Sequence, residues 1–158
     1  MAPLPPDWTA EVEEHRLLIA GDWSRSADRD VLRHAVAKLL PMVRSARRTA
    51  TLHPIGDGIG PLLRLRLRRP GVVFGSPPRG AVLLCPVLTP ALVPALAAGI
   101  PAVVSPEVAD ALAVPLPPAC RVGRLDRSFV LQIVELLGSG ETWSAASAAG
   151  PGLSRRLD

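Results

Sequence analysis

A chain of 158 residues with 48% hydrophobic content and a mean hydropathy of +0.28 suffices for one packed domain, which excludes a wholly disordered chain. The net charge of +4 comes from 17 scattered arginines and one lysine, and only 3% of residues are aromatic, none of them tyrosine, which argues against nucleic-acid binding by base stacking. Cys85 and Cys120 show no CxxC or Cys/His spacing, so a zinc-type site is not expected; they fit two reduced, buried thiols in a cytoplasmic protein.

The first 14 residues read as a Pro-rich, acidic tail without the basic start of a signal peptide. Residues 15–24 read as a strand, a Gly21-Asp22 turn and the start of a second strand. Asp28 or Asp30 can cap a helix over residues 31–48, whose Val31, Leu32, Ala35, Val36, Leu39, Leu40 and Val43 follow helical spacing. Pro41 should kink or divide it. Residues 51–61 read as a loop. Its Gly56-Asp57-Gly58-Ile59-Gly60 lacks the strand before and the helix after that a phosphate-cradling fingerprint requires.

Residues 62–67 alternate leucine and arginine, the pattern of a strand with one wet face. Residues 71–74 read as a buried strand. Residues 81–85 read as strand or helix start, residues 89–98 as a helix after Thr89 and Pro90, and residues 102–104 as a parallel-sheet strand. Residues 81–106 carry no charge, but Pro86, Pro90, Pro94 and Pro101 interrupt them, so a buried strand–helix–strand is expected rather than a membrane span. A short helix follows Pro106. Asp126 or Ser128 caps a helix over residues 129–137, and Gly138-Ser139-Gly140 leads into a small-residue helix over residues 141–149. The expected organisation is a tail over residues 1–14, one α/β domain over residues 15–150 and a tail over residues 151–158. The fold class is α/β: a mainly parallel, Rossmann-like sheet of reduced size with flanking helices, in which residues 72–74 and 103–104 are joined by the helix near residues 89–98.

Three segments resemble the aldehyde dehydrogenase superfamily, over roughly two thirds of the chain. Leu17-Leu18-Ile19-Ala20-Gly21-Asp22-Trp23-Ser24 is similar to that family's amino-terminal hairpin. Residues 69–107, with Pro70-Gly71-Val72-Val73 and Pro94-Ala95-Leu96-Ala97-Ala98-Gly99, resemble its first cofactor-binding crossover. Leu116-Pro117-Pro118-Ala119 and Gly138-Ser139-Gly140-Glu141 resemble segments that follow it. Glycosyltransferases also write Ala-Ala-Gly-x-Pro-Val-Val before a loop. On the dehydrogenase resemblance, the oxyanion-binding Asn falls on Gly80, the ribose-binding Lys on Ser105 and the neighbouring acid on Val108, and no nucleophile is matched. Cys85 and Cys120 are expected to be structural.

The resemblance implies a truncated, non-catalytic dehydrogenase-like subunit, structural or regulatory, in a homo-oligomer or with a larger protein partner. No NAD(P)-dependent aldehyde oxidation is expected. No cofactor is expected, with NAD(P) retained only as a remnant ligand, and neither membrane nor nucleic acid is expected as a partner. The alternative is a small enzyme or nucleotide-binding protein reusing the cleft, with His15, His34, His53, Asp57 and Arg79 as its candidate acid/base or anion-binding groups. A surviving ligand site is expected at the carboxyl end of the sheet, around Ser76, Arg79, Gly80, Ser105, Gly138 and Gly140, with Arg79 dominating anion affinity.

Overall fold

The computed structural model describes residues 9–10, 15–75 and 79–158, with only the backbone described at 9, 10, 79 and 80. In chain order the strands are β1 (Thr9–Ala10), β2 (Arg16–Ala20), β3 (Thr51–Ile55), β4 (Arg79–Gly80), β5 (Val82–Cys85), β6 (Ala102–Val104) and β7 (Cys120–Val122). β1 and β4 form a small parallel pair. The other five form one parallel sheet in the order β3-β2-β5-β6-β7. This is the α/β, Rossmann-like architecture expected from the sequence.

The central strands β2, β5 and β6 are short, largely apolar runs because both faces of the sheet are covered there. Leu17, Ile19, Val82, Leu84 and Val103 point into one core cluster, and Leu18, Leu83, Cys85, Ala102 and Val104 into the other. That alternation is the two-residue period of a strand read from both sides. The first cluster is closed by α1 (Ser26–His34), α2 (Leu40–Ala46) and α6 (Arg127–Gly138). The second is closed by α4 (Leu92–Ala97), α5 (Pro106–Leu112) and the end of α7 (Gly140–Leu157). Residues 151–157 thus belong to α7, and Leu153 is buried.

α1 and α2 are one continuous rod with a π-helical turn at Ala35–Leu39, where the Leu40 amide reaches back to the Ala35 carbonyl. Pro41 lacks an N–H and its ring crowds the preceding turn. Widening the ladder before it resolves both problems without dividing the helix.

Other local expectations change: no second strand follows Gly21-Asp22, and the helix expected over residues 31–48 starts at Ser26, so neither Asp28 nor Asp30 caps it. Residues 72–74 are not a sheet strand: Val72 makes only an isolated bridge to Leu52 on the outer edge of β3. The crossover that ends in β6 starts from β5. Residues 51–55, read as loop, form β3, an edge strand that tolerates Pro54. Residues 62–67, read as a strand, lie in and just after the short helix α3 (Pro61–Arg66). Pro61 presets its first turn, and Leu63 and Leu67, four apart, supply the face that packs on the core. Among the described residues, no helix is long and apolar enough to cross a membrane.

Candidate functional site

In a parallel sheet all carboxyl ends meet at one edge. The chain places β3 on one side of β2 and β5 on the other. The loop after β2 therefore leads to α1 over one face, while the loop after β5 leads to α4 over the opposite face. The two loops part and leave a crevice, the position where open α/β sheets bind ligands. Here the crevice has a volume of about 200 Å³ and is lined by Ala20, Gly21, Asp22, Arg25 and Asp28 on one side and Val87, Leu88, Thr89 and Pro90 on the other. It is smaller than an ordinary small-molecule pocket, so it suits one end of a ligand rather than the whole of it.

Each wall is held by its own bonds. On the β2 side, Asp28 Oδ2 accepts from the Asp22 amide at 2.8 Å. Asp22 Oδ1 accepts from the Ser24 amide at 3.1 Å and its hydroxyl at 2.5 Å. The Ser24 hydroxyl, then its amide, hold the Asp22 carboxyl below its ordinary pKa. Arg29 Nη1 donates to the carbonyls of Trp23 and Ser24. The Arg25 side chain makes no hydrogen bond or ion pair among the described residues.

The glycine loop after β3 supports this wall from behind. The Gly21 amide donates to the Ile55 carbonyl and the Trp23 amide to that of Asp57. Gly56 and Gly58 have φ of +131° and +93°. A Cβ on Gly56 would overlap the Gly21 carbonyl, and one on Gly58 would lie 2.7 Å from the Ser24 amide. These glycines let two loops touch, and that is the use the fold makes of them.

On the β5 side, the Ser105 hydroxyl donates to the Pro86 carbonyl at 2.8 Å and accepts from the Val108 amide at 3.3 Å. It thereby ties the β5 loop to the start of α5. Cys85 Sγ donates to the Val87 carbonyl at 3.0 Å. Burial pushes the Cys85 thiol up to about 12, and burial, then the neighbouring Cys85, does the same to Cys120. Both remain thiols at neutral pH, as structural residues do.

The residues expected to form the site are not gathered together. Ser76 lies outside the described residues. Arg79 and Gly80 form β4, immediately before β5, and so sit at the amino edge of the sheet. Gly138 and Gly140 flank the α6–α7 junction at that same edge. There, Gly138 lies against Arg47, Ser139 caps α7 through the Thr142 amide, and Trp143 Nε1 donates to the Ala81 carbonyl at 2.8 Å. Only Ser105 stands at the carboxyl edge, where its hydroxyl clips loops. The displacement has one cause: with β5 rather than residues 72–74 as the strand, Arg79 and Gly80 precede a strand instead of following one.

The histidines are also separate. His15 pairs with Thr49 at 3.0 Å, His34 with Asp126 at 2.5 Å, and His53, buried in β3, with Thr51 at 2.7 Å. Among the described residues no group of His, Cys, Asp or Glu could hold a metal ion. Asp22, Arg25, Asp28 and Thr89 were not among the expected site residues. Their signal was present: an apolar strand ending in glycine, then a helix start within a few residues. Reading Gly21-Asp22 as a hairpin turn concealed it.

No protein-family model and no curated protein matches the chain. Solved structures do match its fold. Sucrose-phosphate synthase from Thermosynechococcus elongatus matches with a TM-score of 0.64 at 14% identity, over 93% of this chain and 42% of that one. TarM from S. aureus, solved with fondaparinux, alpha-GlcNAc-glycerol and UDP, matches with a TM-score of 0.66 at 8% identity, over 94% and 33%. The C-terminal domain of LpcC, a group 1 family glycosyl transferase from Francisella tularensis, matches with a TM-score of 0.57 at 11% identity, over 89% and 84%. The chain thus spans less than half the length of the first two.

These neighbours overturn the aldehyde dehydrogenase resemblance, and with it the reading of a dehydrogenase-like pseudoenzyme subunit. The residues that suggested it encode a strand, a small-residue helix, a glycine and a second strand, which any parallel crossover can use. At these identities the likeness shows architecture alone: the chain has the fold of part of a GT-B-type glycosyltransferase.

Proposed function

We propose that this chain is a nucleotide-sugar-binding domain of glycosyltransferase type, taking the sugar–phosphate end of its ligand into the crevice between the β2 and β5 loops. The observation that carries this reading is the place of the crevice: the topological switch point of a sheet whose structural neighbours are glycosyltransferase folds. The lining supports it chemically. The Arg25 guanidinium suits a phosphate oxygen, and the remaining lone pairs of Asp22 and Asp28 suit neutral sugar hydroxyls. Val87 and Leu88, 46% and 55% exposed, offer an apolar shelf at the mouth. Two carboxylates against one arginine repel a bare diphosphate, so the sugar hydroxyls are needed for binding. A partner contributing the acceptor-binding half, a second copy or a larger protein, completes the assembly in this reading. The two free buried cysteines accord with a cytoplasmic setting.

The test is calorimetric titration with a panel of nucleoside diphosphate sugars, the matching nucleoside diphosphates and NAD(P). A nucleotide sugar should bind more tightly than its bare diphosphate. Arg25→Ala should weaken it at least about tenfold, since a hydrogen bond to a charged group is worth about 1.5–3 kcal/mol. Binding of no nucleotide sugar, or equal affinity in Arg25→Ala, removes this reading.

A further inference from the structure

We infer that the surface presented by α3 docks on an anionic lipid surface, a property independent of the donor-site reading. α3 is fixed by Leu63 and Leu67, and this orientation turns Leu62 and Leu65 outward, 60% and 66% exposed and nearly one turn apart. Leu65 also edges a shallow groove with Val72 and Phe74 that Arg64 and Arg68 flank. On the other side of the helix, Arg66 and Arg69 line a second hollow. Two bare leucines are thus set among four exposed arginines.

The charge carried by this segment is one-sided. Residues 61–75 hold four arginines, all exposed, and no acid. Among the described residues, none of the four arginines forms a salt bridge. Arg64 stacks over the Phe74 ring at 5.5 Å, which covers that ring. Single-stranded nucleic acid is held on exposed rings by stacking, and the centre of this patch is aliphatic; a duplex needs only the arginines, and a duplex competitor tests for it. Leucines that insert below headgroups, ringed by guanidinium groups at phosphate level, are the pattern of interfacial membrane association, which needs no spanning helix. Had residues 62–67 formed a strand, leucines and arginines would have faced opposite ways. The helix instead sets arginines on both flanks of the two leucines.

The test is co-sedimentation of the full chain with vesicles of phosphatidylcholine alone and of phosphatidylcholine with phosphatidylglycerol, with a duplex oligonucleotide as competitor. The chain should partition onto the anionic vesicles only, and less so as salt rises. Arg66→Gln and Arg69→Gln should each lower the partition about fivefold. Leu62→Ser with Leu65→Ser should lower it about tenfold, since each buried methylene counts. Thermal midpoints should stay at the wild-type value, because all four side chains are exposed. Equal partition onto both vesicle types, no partition, insensitivity to the leucine changes, or displacement by the oligonucleotide would each overturn the inference. The last two would mark the patch as purely electrostatic, for nucleic acid or an acidic protein.

Discussion

Gly150 and Gly152 lie two residues apart in α7, and the same substitution at each should change stability in opposite directions. In a helix interior, Gly→Ala gains about 1 kcal/mol from propensity alone. At Gly150 the new Cβ would fall on the Leu96 carbonyl oxygen of α4, well inside van der Waals contact, and that oxygen belongs to rigid backbone. α7 must then back away from α4 by about 1 Å, and overpacking of this kind costs about 1–3 kcal/mol. Pro151 follows directly, and a residue with a Cβ before proline disfavours the helical conformation, which adds to the cost. The net effect of Gly150→Ala is about 1–2 kcal/mol of destabilisation, or about 3–6 °C in midpoint for a chain of this size. At Gly152 the nearest atom to a new Cβ is the Arg155 guanidinium at 4.0 Å, so nothing offsets the gain. Gly152→Ala should raise stability by about 0.5–1 kcal/mol. Urea denaturation of the two variants beside wild type measures both. If Gly150→Ala stabilises, or the two variants shift alike, the close approach of α4 and α7 is wrong.

Trp143→Phe leaves the buried Ala81 carbonyl without its donor and should cost about 1–2 kcal/mol, seen as a lower urea midpoint at unchanged slope. Leu63→Ala should cost about 2 kcal/mol and Leu62→Ala under about 0.5, because only the first packs on the core; thermal midpoints separate them. Cys85 and Cys120 should resist Ellman's reagent until the protein unfolds. Their folded pKa lies above the unfolded one, so the unfolded chain loses protons first. Stability should therefore fall as pH rises from 9 towards 12, by about 1.4 kcal/mol per pH unit for each thiol in denaturation curves. Asp22 runs the other way: its lowered pKa keeps the carboxylate charged below 3.8, and its bond to Ser24 should be lost only as pH falls through that lower value, which carboxylate NMR titration follows.

The sequence by itself determined the class of fold. Val82 to Cys85, Ala102 to Val104 and the alanine-rich helix between them are apolar runs broken by prolines and a glycine, and a parallel sheet covered on both faces absorbs such runs. A helix through residues 31–46 was legible from its spacing, as were the stop at Gly99 and the burial of both cysteines; its start was not, since the rod begins at Ser26 and Asp28 and Asp30 lie inside it rather than cap it. What the sequence left open was which apolar run is a strand and which neighbour it takes. Residues 72–74 and 82–85 look alike as text. Their difference is a matter of hydrogen-bond partners, since β5 pairs with β2 and β6 while Gly71 and Val73 bond to Leu52 of β3 alone. That one choice moved Arg79 and Gly80 from the carboxyl edge to the amino edge. The crevice likewise exists only in three dimensions. Asp22 and Asp28 lie some 60 residues before Thr89, and they meet because the chain adds β3 to one side of β2 and β5 to the other. Strand order is a long-range property: local pattern fixes which faces are apolar, while the packing of all five strands at once decides which ends come together.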